Sequence, residues 1–198
     1  MHCRRAVDCH VLPMDSPTYQ LLDHDDMFRS HSYALLDMGI TRLVERCPHR
    51  ILSDILLGAG LAAAMWGVFW LGEFFSTLLF DFARPQVDTI YGMKEGENPL
   101  VLTLLMLFII GPAEEIFWRG YIQKGLSKRW NPNWGFVVTT LVYSLVHLAK
   151  FNFMLIMAAA VAGLIWGLAY RFFPERLGAI IISHALWDCA VFIWFPIM

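Results

Sequence analysis

Residues Ile55–Gly72 read ILLGAGLAAAMWGVFWLG, 18 positions without a charge, and the apolar character carries on to Phe80 with Glu73 as its one interruption. As a helix, 18 residues rise about 27 Å, close to the thickness of a bilayer's hydrocarbon core of about 30 Å. No polar stripe divides the run as it would on a helix lying at the surface of a soluble domain. The stretch therefore predicts a membrane-spanning helix.

The same texture repeats outward from it. Pro99–Ala113 is uncharged and continues past Glu114 and Glu115 into Ile116, Phe117 and Trp118. Trp134–Ala149 and Phe151–Tyr170 are further apolar runs, and Leu177 to the C-terminus is broken only by His184 and Asp188. Over 198 residues the chain is 58% hydrophobic and 16% charged, with a mean hydropathy of +0.53, far more apolar than a soluble domain needs. The expected fold is an all-α, polytopic integral membrane bundle of five apolar segments, the third the shortest. Its principal partner is the lipid bilayer. A formal charge of -2 and a pI near 6.4 speak against a nucleic-acid partner.

Residues 1–50 differ in kind: they hold 13 of the charged side chains and 5 of the 7 histidines, with no long apolar run. Arg4 and Arg5 are followed by Asp8, Pro13, Asp15 and Pro17 and not by an apolar stretch, so the layout is not that of a secretory signal. This reads as a polar, cytosolic extension with short helices around Tyr19–Met27 and Tyr33–Arg46, ahead of a membrane domain over residues 51–198. Cys3, Cys9, Cys47 and Cys189 form no regular disulfide framework, and the grouping of His2, Cys3, Cys9 and His10 matches no zinc spacing. If the five segments alternate, eight basic residues near segment ends (Arg42, Arg46, Arg50, Lys124, Lys128, Arg129, Arg171, Arg176) share one side and three (Arg84, Lys94, Lys150) the other. Basic residues are retained on the cytosolic face, which predicts a cytosolic N-terminus and an external Asp81–Glu97 loop. Small residues at Gly58, Gly60, Ala62–Ala64, Ala158–Ala160, Ala162 and Gly163 are expected to let helices approach closely.

Ionisable groups in the apolar segments are few: Asp54 and Glu73 in the first, Glu114, Glu115 and Arg119 in the second, His147 in the third, His184 and Asp188 in the fifth. A charge at a helix centre costs about 2.5–3.5 kcal/mol on insertion scales, so such groups are expected to share a site inside the bundle. Glu115 and Arg119 are four apart and can pair on one helix face, which leaves Glu114 turned about 100° away. His184–Asp188 and Tyr143–His147 repeat the four-residue spacing. Asp54 and Glu73, near the ends of their segment and without such neighbours, are left out of the site. Each pair taken singly has a structural reading, an ion pair or a helix-to-helix hydrogen bond. Both histidines of residues 51–198 falling on separate helices beside a double carboxylate favours a common site. Gly111 and Pro112 predict a kink or restart just before it. A proton relay or transporter would also bury Glu and His, but no pair of repeated half-segments points to one.

Glu114-Glu115-Ile116-Phe117-Trp118-Arg119 resembles the EExxxR motif of the CAAX protease and bacteriocin-processing family of intramembrane proteases, which includes the type II CAAX prenyl endopeptidases. Tyr143–His147 is similar to that family's aromatic-xxx-His element and His184–Asp188 to its His-xxx-Asn/Asp element, in the same order, over about residues 100–195. The resemblance implies an intramembrane endopeptidase acting on a peptide or membrane-protein substrate, with Glu114 and His147 activating water. It further implies that Glu115 and Arg119 orient the helix and that His184 with Asp188 faces the developing negative charge. A non-catalytic scaffold or bacteriocin self-immunity factor of the same fold is the alternative it admits. Two histidines and two carboxylates could also ligate zinc, but there is no HExxH, and a water-activating pair explains the set with no essential metal. Simple alternation leaves Glu114 near the cytosolic end of segment two and His147 near the external end of segment three, a conflict of depth.

Overall fold

The computed structural model describes residues 48–197. The polar extension, its two expected helices and the His2–His10 grouping lie outside the described residues. Among those described every regular element is helical and none is a strand. We label them α1 (Pro48–Leu79), α2 (Ala83–Gly92), α3 (Pro99–Arg129), α4 (Pro132–Leu145), α5 (Phe153–Phe172) and α6 (Pro174–Trp194). Four of them, α1 from Arg50, α3, α5 and α6, are long and apolar enough to cross a membrane.

The third expected segment, Trp134–Ala149, is the shortest, as expected: the 14-residue α4 is followed by a 3-10 turn at Val146–Lys150, and together they join opposite ends of the bundle, Arg171 at the end of α5 bonding Asn133 at the start and Asn152 just past the turn bonding the Gln86 carbonyl of α2. Apolarity alone does not measure a helix. Asn131 and Pro132 start α4, the Asn131 side chain accepting from the Asn133 and Trp134 backbone N–H groups, and the tighter winding after Leu145 ends it. The expected Asp81–Glu97 loop also holds a helix, α2, whose buried residues Ala83, Val87 and Tyr91 recur every four positions. Tyr91 donates to the Val191 carbonyl at 3.0 Å and accepts from the Ile197 N–H at 2.9 Å, and Lys94 donates to the Phe192 carbonyl, so α2 is tied to the end of α6.

The core sits where α6 runs between α1 and α3 and where α4 packs along α5. Small residues decide two of these approaches. A Cβ on Gly58 would lie 2.7 Å from the Ala179 carbonyl oxygen, and one on Gly111 would lie 2.8 Å from the Ala185 Cα. Of the first small-residue group, Gly58 and Ala62 are buried while Gly60, Ala63 and Ala64 face outward. Many large apolar side chains are exposed, among them Leu78, Leu79, Phe108 and Leu100, which suits a lipid solvent.

Asp54 and Glu73 do have partners, contrary to the expectation. Arg176 reaches Asp54 at 2.9 Å across 122 positions of sequence, and Arg84 reaches Glu73 at 3.0 Å. Both pairs are made by tertiary folding, which spacing within one segment cannot reveal. Glu73 also borders an apolar cleft of about 340 Å³ between α1, α2, α5 and the end of α6, which contains none of the six candidate site residues.

Candidate active site

The helix that carries the double glutamate does not stop at Trp118. It runs unbroken for 31 residues from Pro99 to Arg129, with Glu114 near its middle. The expected restart at Pro112 takes the form of a π-helical turn over Met106–Ile110, whose wider winding accommodates the proline, and a second π-helical stretch follows at Ile116–Gln123. The helix continues through polar residues because Gln123 is buried and donates to the Gly167 carbonyl of α5 at 2.8 Å. This extra length removes the conflict of depth, since the middle of α3 lies beside the end of α4.

Two groups of side chains result. The first is fully buried. Oε1 of Glu115 accepts from the Arg119 guanidinium at 2.8 Å, the pair expected from their spacing, and it also stands 2.7 Å from Nδ1 of His184 on α6. A carboxylate only accepts, so the Nδ1 proton points at Glu115. Nε2 of His184 is 3.5 Å from Oδ2 of Asp188, the longer of its two approaches. The imidazole is stacked on Trp166 of α5 at 3.9 Å between ring centroids, and Trp166 donates to the Ser183 hydroxyl at 3.1 Å. Arg119 lies between the Trp166 and Tyr143 rings, 5.7 and 4.9 Å from their centroids, and its other terminal nitrogen reaches the Gly163 carbonyl at 3.5 Å.

In the second group Tyr143 is buried while Glu114 and His147 are half-buried. The Tyr143 hydroxyl donates to Oε2 of Glu114 at 3.1 Å. One turn on, Nδ1 of His147 lies 2.9 Å from the Tyr143 backbone carbonyl, and the two rings meet edge to face at 5.4 Å. A carbonyl only accepts, so this bond assigns the proton to Nδ1 and leaves the lone pair on Nε2. Tyr143 thus bonds both Glu114 and His147, and its contact with Arg119 joins the two groups.

The link from Glu115 to His184 is invisible to spacing because the two lie 69 positions apart, and it changes how His184 is held. Tyr143 and Trp166 take part in the site without having been selected from sequence. The aromatic-xxx-His element drew attention to Tyr143 as a neighbour of His147, not of Glu114. Trp166 lies toward the end of its apolar segment, where tryptophan is common, and so carried no signal of a role in the site.

Among the described residues no three His, Cys, Asp or Glu side chains converge on a common point. Oε1 of Glu115 already meets a guanidinium and an imidazole, so a cation at that oxygen would be set against Arg119, while Oε2 is buried without a hydrogen-bond partner among the described residues.

No curated protein and no solved structure matches the chain. Residues 96–190 match the family model described as type II CAAX prenyl endopeptidase Rce1-like, a range that holds all six candidate site residues and all three motifs. By this match, residues 96–190 are similar to the Rce1-like type II CAAX prenyl endopeptidase family.

Proposed function

We propose that this chain is an intramembrane endopeptidase that hydrolyses a peptide bond with a water activated by Glu114 and His147. The observation that carries the reading is that Tyr143 bonds both the half-buried Glu114 carboxylate and His147, whose Nε2 is left to accept, backed by a buried and charge-compensated Glu115–Arg119–His184 cluster. Water bound between the two would lose a proton to one of them as its oxygen attacks the carbonyl carbon. The carbonyl oxygen takes the negative charge, and His184, its Nδ1 held by Glu115 and its Nε2 within 3.5 Å of Asp188, would donate to it from Nε2 as the imidazolium, with a proton on each nitrogen. Collapse of the tetrahedral intermediate breaks the C–N bond, and the proton first taken from water passes to the leaving amine. Glu115 and Arg119 take no proton in this scheme; they fix the helix and compensate each other. No step requires a metal ion. The substrate is a peptide or membrane-embedded protein.

Digestion of a peptide library by the purified chain in detergent tests the reading. Cleavage that is lost in Glu114→Gln supports it, whereas no cleavage by wild type favours a scaffold that keeps the fold. Asp188 offers a finer test. Asp188→Asn should keep a substantial fraction of turnover and Asp188→Leu lose nearly all, because an amide of the same shape can still hold the imidazole by a hydrogen bond. Equal loss in both variants, together with inhibition of wild type by a chelator, would instead make Asp188 an ionised metal ligand.

The N-terminus is proposed to face the cytosol on the eight-to-three distribution of basic residues. Reporter fusions at residues 40 and 126 should then read cytosolic and one at residue 90 external. A cytosolic signal at residue 90 would mean that α1 does not cross.

A further inference from the structure

We propose that Tyr143 is the positioning residue of the water-activating pair, its hydroxyl holding Glu114 and its backbone carbonyl holding His147. The inference rests on the peptidase reading above and adds a specific role to it. One residue makes both contacts: the phenol donates to Oε2 of Glu114 at 3.1 Å, and the main-chain oxygen takes Nδ1 of His147 at 2.9 Å. The two bonds leave complementary atoms uncommitted. With Oε2 engaged, Oε1 is the oxygen of Glu114 that can take a proton from water, and with Nδ1 engaged, Nε2 is the accepting nitrogen of His147.

Tyr143 can hold them because it is itself held. It is 5% exposed. Its ring meets Trp118 edge to face at 5.3 Å and lies under the Arg119 guanidinium at 4.9 Å. On the α5 side it lies against Gly163, where a Cβ would come within 3.0 Å of the Tyr143 Cδ1. Glu114, by contrast, is half-buried on a helix whose neighbouring turns are π-wound, and no other side-chain hydrogen bond to it is found among the described residues. A flexible carboxylate with one anchor depends on that anchor for its orientation, and a displacement of about 1 Å at such a group can cost on the order of a hundredfold in rate. A phenol, with an ordinary pKa of about 10, is protonated at neutral pH and so is a donor.

A tyrosine that only filled the space beside Gly163 would be replaceable by phenylalanine without loss, since the ring and its contacts remain. The experiment compares wild type, Tyr143→Phe, Glu114→Gln and the double variant, all as full-length chain in detergent. Expected for Tyr143→Phe is a fall in kcat of about 10- to 100-fold, the range for a lost hydrogen bond to a charged group, with KM and the thermal midpoint nearly unchanged. Isotope-edited infrared spectra of glutamate-labelled protein supply a readout independent of turnover. Tyr143→Phe should shift a carboxylate band, and the shift should vanish in the Glu114→Gln background. Wild-type kcat in Tyr143→Phe overturns the inference while leaving the peptidase reading intact. If wild type cleaves no peptide, the peptidase reading fails, and the infrared comparison alone decides the contact: no Glu114-dependent shift overturns it.

Discussion

Glu114→Gln is expected to lower peptide hydrolysis by about 10²- to 10⁴-fold, the usual contribution of a positioned general base, while insertion into the membrane and thermal stability stay near wild type. The asymmetry follows from where the residue sits. Glu114 is half-buried and touches Tyr143 through one oxygen. An amide keeps the shape and still offers an oxygen to accept that hydrogen bond, but it cannot take a proton from water at neutral pH. Glu115, one position on, is fully buried with two donors on a single oxygen, so the same substitution there should act mainly through stability. Turnover by Glu114→Gln within a few-fold of wild type would remove Glu114 from the role of base. A large loss of stability in Glu114→Gln would show that the two glutamates had been assigned the wrong way round.

That division was legible in part from the sequence, and the boundary between what could and could not be read is physical. Glu115 and Arg119 share a helix, and a four-residue spacing fixes their relation whatever the bundle does. The same logic paired His184 with Asp188, and there it captured the weaker contact at 3.5 Å and missed the 2.7 Å contact to Glu115, because rotation of α6 against α3 is a tertiary quantity. Asp54 and Arg176 were missed for the same reason, being 122 positions apart. The membrane class was legible because 18-residue uncharged runs have few other uses. The end of α4 at Leu145 was not, since no change of polarity inside the apolar stretch Trp134–Ala149 marks it. Conversely, α3 was read as too short because Gln123 and Lys124 look like the start of a loop, whereas Gln123 is buried against the Gly167 carbonyl.

Arg119→Leu is expected to be the most destabilising single change in the bundle, by about 3–5 kcal/mol, with activity lost as a consequence of unfolding or misplacement. Arg119 is 1% exposed and Glu115 is 0% exposed, so leucine would leave a carboxylate in the interior with His184 as its one remaining donor. It would also remove the guanidinium from between the Tyr143 and Trp166 rings and leave the Gly163 carbonyl with the Thr140 hydroxyl at 3.3 Å as its side-chain donor. Much of the cost is therefore the stranded charge and not the lost attraction. This has a consequence that a simple packing defect does not share. Adding Glu115→Gln to Arg119→Leu should recover part of the stability, because the amide carries no charge to strand and can still accept from His184. Arg119→Lys should fall between wild type and Arg119→Leu, since an ammonium supplies the charge but not the planar face that lies between two aromatic rings. Thermal unfolding of these three variants and of Glu115→Gln alone, in one detergent, measures the series. If the double variant is as unstable as the sum of its parts, the damage is loss of packing volume. If Arg119→Leu is inactive yet as stable as wild type, Arg119 acts on the substrate and not on Glu115.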